Sequence, residues 1–240
     1  MRSRFFKIRV AVLLFVLGIV ILYAWSNIRS RRARNEWRRP LNVAIVIVRN
    51  GAVDPEAIAA MRVRVAQLDA QLTRELHRYR GTPDRPFTFV VRGAVDLPSP
   101  RPELRGDGLV DLARYSLALS RWTGAVDDRA GLPGSSYDSR IYVVVNVPSP
   151  GALRFVEGAS EQGGRVGTLE VDLDASTIDF ALFVTAHELF HTLDALDKYD
   201  VGADTNTAAR ELEIMDRGRV DSIDALRVND VTAREIGWLK

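Results

Sequence analysis

Between Ile178 and Leu196 the chain reads IDFALFVTAHELFHTLDAL, and this stretch constrains the fold more than any other. Ile178, Leu182, Thr185, Leu189, Leu193 and Leu196 fall at helical spacing, and Ser176 followed by Asp179 is a capping-box pattern for the start. Phe180, Phe183 and Val184 make the helix apolar on most sides, so it has to be a central, buried element with the domain built around it. Yet it carries two imidazoles and a carboxylate. Burying His187, Glu188 and His191 without partners is costly, and residues four apart on a helix project from one face, so both rings can close on one cation.

His-Glu-x-x-His on a helix is a zinc-binding pattern. Two imidazole nitrogens reach one Zn²⁺ at about 2.1 Å, while the glutamate stands beside the metal, placed to take a proton from its water. The chain has three histidines and no cysteine. Thiolate ligands, disulfides and cysteine nucleophiles are thereby excluded. His77 lies on another predicted helix beside its apolar stripe, where it reads as a packing or surface residue. The third ligand is therefore expected to be a carboxylate. Asp194 sits about 10 Å along the helix axis from His187, out of reach of the same ion in a straight helix. Asp197, six residues after His191, can swing back from beyond the helix end. Glu211, 20 residues after His191, is the alternative, and Asp200 reads as a neighbour of the site or a surface residue.

The spacing His187-Glu188-x-x-His191-x-x-Asp194-x-x-Asp197 resembles the motif of the metzincin zinc peptidases, His-Glu-x-x-His-x-x-Gly-x-x-His or Asp. Asp194 stands in the glycine slot, where the chain turns back in a left-handed conformation that Asp enters more readily than most residues. Met215, in ELEIMDRG and 24 residues after His191, resembles the Met-turn of that clan, and DALDKYD resembles the end of the motif in immune inhibitor A-like peptidases. The resemblance covers residues 185–218. It implies a metzincin-like catalytic domain with one catalytic Zn²⁺ on His187, His191 and Asp197, and Glu188 as general base for hydrolysis of a peptide or protein substrate. It further implies an oxyanion donor, for which Tyr199 and Arg217 are candidates. An edge strand aligning an extended substrate is also implied, a part that GTLEVDL (167–173) would play. Glu211 falls near the third-ligand position of thermolysin-like enzymes, but the acid those enzymes carry four residues later is Met215 here. A calcium ion among Asp197, Asp200 and Asp204 is left open. Two other readings stand beside the peptidase: a catalytically inactive zinc-containing binding module tethered to the membrane, and an interaction domain with a chance motif. The intact Glu188 counts against the first, because a structural site does not need it.

The rest of the chain fits an α/β (α+β) domain with a mixed sheet. LNVAIVIV (Leu41–Val48) is a nearly continuous β-branched run, as in a strand covered on both faces. Asp54-Pro55 then opens a helix striped by Ile58, Met61, Val65, Leu68, Leu72, Leu76 and Tyr79 up to Gly81. PFTFVVRG (86–93) and SRIYVVVNV (139–147) are further strands, a helix spans about 109–122, and GALRFV and GTLEVDLD suggest two shorter strands before the motif helix. This order predicts a sheet with helices packed on it.

The N-terminus is a separate matter. An uncharged run from Val10 to Trp25 follows Arg2, Arg4, Lys7 and Arg9 and precedes six arginines between Arg29 and Arg39. A bilayer span takes about 20 residues, which Phe5, Phe6 and Ile8 help to supply while Lys7 and Arg9 snorkel. The division expected is a signal anchor or transmembrane segment over 1–27, with the membrane contacted through 8–25, an arginine-rich linker over 28–40, and the zinc domain over 41–240. The alternative is a secreted protein cleaved near Ala24-Trp25-Ser26. An export-type start favours an extracytoplasmic domain, whereas the Lys/Arg count favours keeping the second flank in the cytoplasm. The first 39 residues hold ten of the 33 basic residues and one of the 31 acids, so residues 40–240 carry 23 basic and 30 acidic residues. A domain of net −7 is not a nucleic-acid binder on charge grounds.

Overall fold

The computed structural model describes residues 2–133, 136–148, 156–160, 162–198, 212–216 and 222–240. The chain divides into two units, Met1–Glu36 and Trp37–Lys240. The first is one helix, α1 (Arg2–Asn35), long and apolar enough from Phe6 onward to cross a membrane, with Leu13, Phe15 and Leu22 among its exposed apolar side chains.

In the second unit the order is β1 (Leu41–Asn50), α2 (Pro55–His77), β2 (Phe87–Asp96), α3 (Leu109–Ala130), β3 (Ser139–Asn146), β4 (Val156–Ser160), β5 (Val166–Asp172) and α4 (Ile178–His191). Short elements β6 (Leu212–Glu213), β7 (Leu226–Arg227) and α5 (Asp230–Glu235) complete it. The main sheet is mixed, as the sequence predicts: its order is β2-β1-β3-β5-β4, with the first four strands parallel and β4 antiparallel to β5.

The continuous apolar character of β1 follows from its central place. Val43, Ile45 and Ile47 enter one core with α2 and α4, while Ala44, Val46 and Val48 enter a second core with Trp122 and Val126 of α3. Asp54 caps α2 by accepting from Glu56 N at 2.9 Å, and the stripe from Ile58 to Leu76 is buried as expected. The helix ends at His77 rather than at Gly81, and His77 itself is exposed. Continuing eight residues past Trp122, α3 seats Val126 and Asp127 in the sheet-facing side and stops at Gly131, whose φ of 63° closes the helix.

Three expectations are corrected, and a fourth lies almost wholly outside the described residues. The capping box at Ser176 does not form: Thr177 is the N-cap, Ser176 bonds Asp174, and the Asp179 carboxylate is gripped by the Arg64 guanidinium at 2.6–2.9 Å. That fork ties α4 to α2, a tertiary partner that a local pattern cannot contain. The motif helix stops at His191, so Leu193 is buried beyond its end and Leu196 is half exposed. GALRFV lies almost wholly outside the described residues, and the strand there is β4, beginning at Val156. GTLEVDL is β5, which pairs on both sides and so is an interior strand; the edge beside α4 belongs to β4.

Candidate metal centre

His187 and His191 occupy the last two turns of α4, and their Nε2 atoms lie 3.1 Å apart. Beyond the helix end the chain reverses: Asp194 N–H donates to His191 O, Ala195 N–H donates to Phe190 O, and Asp194 takes a φ of 82°. The residue in the glycine slot thus has the left-handed conformation that slot demands. The reversal brings Asp197 back to the rings, with Oδ1 at 3.3 Å from His187 Nε2 and 3.2 Å from His191 Nε2.

Which atoms carry protons is set by the other ring nitrogens. His187 Nδ1 is 2.7 Å from Ile214 O and His191 Nδ1 is 2.9 Å from Ala195 O. A carbonyl can only accept, so both Nδ1 atoms carry a hydrogen, and a neutral ring so oriented presents its lone pair at Nε2. With both rings neutral, the two Nε2 atoms and the Asp197 carboxylate oxygen are three acceptors facing one another. A proton would relieve this, but burial drives the pKa of His187 down against the pull of Ile214 O and Asp197. A divalent cation relieves it better. Ligand atoms about 2.0–2.1 Å from a tetrahedral zinc lie about 3.3 Å from one another, and the three separations here are 3.1, 3.2 and 3.3 Å. The donor set thus fits Zn²⁺: two imidazoles, one carboxylate, and carbonyls orienting the rings from behind.

Glu188 keeps a carboxylate oxygen within 4.8 Å of the ligand nitrogens of both histidines while reaching toward β4. Ser160 Oγ donates to Oε2 at 2.7 Å. Gly158 is what permits the approach, because a Cβ there would stand 1.9 Å from Glu188 Oε1. Burial raises the pKa of Glu188 above the ordinary carboxylate range, opposed by the Ser160 hydrogen bond. Together Gly158, Ser160, His187, Glu188, His191 and Asp197 line a cleft of about 350 Å³.

Met215 is fully buried, and the turn bearing it acts through its backbone: Ile214 O orients His187, and Met215 O accepts from Lys198 N at 2.9 Å. Glu211, Tyr199, Arg217, Asp200 and Asp204 lie outside the described residues. Sequence reasoning misses Gly158 and Ser160, whose relevance depends on the pairing of β4 with β5. It also misses the two carbonyls behind the rings, for which no residue type is a signal.

No protein-family model matches the chain, and no curated protein matches it. Among solved structures it is similar to archaemetzincin from Methanopyrus kandleri, at 17% identity over 82% of this chain and 93% of that one, with a TM-score of 0.43. At that score the chemistry rests on the residues and distances above.

Proposed function

We propose that this chain is a membrane-anchored zinc-dependent endopeptidase of metzincin-like design, with His187, His191 and Asp197 holding the ion and Glu188 as general base. The observation that carries this reading is the convergence of two imidazole Nε2 atoms and a carboxylate oxygen within 3.1–3.3 Å, the spacing of ligands around one tetrahedral zinc. When bound, the zinc lowers the pKa of a coordinated water to about 7 and polarises a carbonyl. The protein's own part is proton handling. With Ser160 occupying Oε2, Oε1 of Glu188 is left to accept the proton and then return it to the leaving amine. The edge of β4 flanks the cleft, and an extended peptide adding to that edge would carry its carbonyls past Glu188. This gives β4 the aligning part first expected of GTLEVDL. The apolar stretch of α1 serves as the signal anchor.

The test is zinc content per chain and cleavage of a quenched fluorescent peptide library, on the full chain in detergent. About one zinc and measurable cleavage are expected. Glu188→Gln should keep the zinc and lose about 10²- to 10⁴-fold in rate, whereas His187→Ala should lose both. A well-folded chain that takes up no zinc when it is supplied would sink the reading.

A further inference from the structure

Asp197 sits on a segment with no regular structure, and burial does little to hold it: its side chain is 40% exposed and Leu196 is 50% exposed. Ordering an exposed segment costs conformational entropy, so other contacts must help fix the carboxylate. Lys198 N–H is held by Met215 O at 2.9 Å, and the other described polar contacts of the two residues flanking Asp197 fall on one side chain. Glu235, the last residue of α5, accepts from Leu196 N at 3.1 Å and from Lys198 Nζ at 2.6 and 2.7 Å, and so grips both neighbours of Asp197. The Lys198–Glu235 pair is largely enclosed, with side chains 12% and 21% exposed. α5 is itself anchored, because Trp37 Nε1 donates to Ile236 O at 2.6 Å, and Trp37, Phe190 and Trp238 pack edge to face. A rigid path thus runs from the aromatic core through α5 to the loop after α4.

We propose that Glu235 is a positioning residue for the metal centre: by clamping Leu196 and Lys198 it holds the Asp197 carboxylate against the two imidazoles and sets zinc affinity. The proposal rests on the reading of Asp197 as third ligand. Partners that orient metal ligands typically contribute about 10- to 100-fold in affinity.

The experiment measures zinc affinity of the full chain by competition with a chromophoric chelator, for the parent, Asp197→Ala, Glu235→Ala and the double variant, with folding followed by circular dichroism. Glu235→Ala should weaken zinc binding at least tenfold in the parent, yet change it less than twofold in the Asp197→Ala background. A merely structural role would not show that dependence on Asp197. Should Glu235→Ala fail to fold, Glu235→Gln keeps an acceptor for Leu196 N–H and should show a smaller loss with the same dependence. A folded Glu235 variant with parental affinity, or an equal loss in both backgrounds, overturns the proposal. Parental affinity in Asp197→Ala alone would instead overturn the third-ligand reading, and this proposal with it.

Discussion

At Asp194 one backbone angle carries the geometry of the whole centre. A φ of 82° is costly for a residue with a Cβ and costs glycine nothing, while Asp lies between because its short polar side chain can bond locally. Asp194→Ala should therefore lower stability by about 1 kcal/mol, while Asp194→Gly should be neutral or stabilising, read from thermal unfolding of the full chain. Equal losses in both would show that the side chain, rather than the backbone conformation, matters there. This position was legible in the sequence only through the motif spacing. The histidines were legible for a simpler reason: residues four apart on a helix must share a face, whatever the tertiary fold. Ser160 and Gly158 were not, since neither touches Glu188 until β4 finds its register on β5.

Elements with a strong period, β1, α2 and α4, could be read directly, because the burial pattern that fixes them is written locally. Those whose identity depends on partners could not. The edge position of β4 is a fact of sheet order, and α5 is six residues long, too short to show a period. Register between β1 and β3 has a local device, however. Asp138, just before β3, accepts from Asn42 N at 2.8 Å, donates its own N–H to Asn42 O at 2.8 Å, and takes the Arg39 guanidinium in a fork at 2.7 and 3.0 Å. A slip of one residue would turn every side chain to the wrong core, so this lock matters. Burial pushes the Asp138 pKa up, but the hydrogen bonds from Arg39 and Asn42 outweigh it and the net shift is downward. For a depressed carboxylate the stabilisation is present above the unfolded value and is lost as pH falls through the folded one. Asp138→Asn should therefore cost about 1 kcal/mol near neutrality, less than is usual for hydrogen bonds to a charged group, because Arg39 is 59% exposed and solvent screens the pair. The difference from the parent should shrink below pH 3.8. A gap that stays constant through that range in urea titrations would mean that the charge of Asp138 contributes nothing.

For the whole molecule, the proposed anchoring by α1 raises the choice of the side of the membrane on which the domain would stand. Two features of the N-terminal charge pull in opposite directions. The six arginines between Arg29 and Arg39 outnumber the four basic residues before the apolar run, and by the positive-inside rule they would hold the downstream domain in the cytoplasm. Against this, a short basic start running directly into an apolar stretch is the layout of an export signal, which carries the downstream domain outside. We propose the second. The absence of cysteine makes the test clean, because one introduced thiol is the only thiol in the chain. Val63 on α2 is 75% exposed, so Val63→Cys should leave the fold intact. A membrane-impermeant maleimide applied to intact cells, or to spheroplasts where an outer membrane is present, should then label the variant. Labelling only after lysis would put the domain in the cytoplasm, show that the arginine cluster decides the topology, and turn the search for substrates to cytoplasmic proteins.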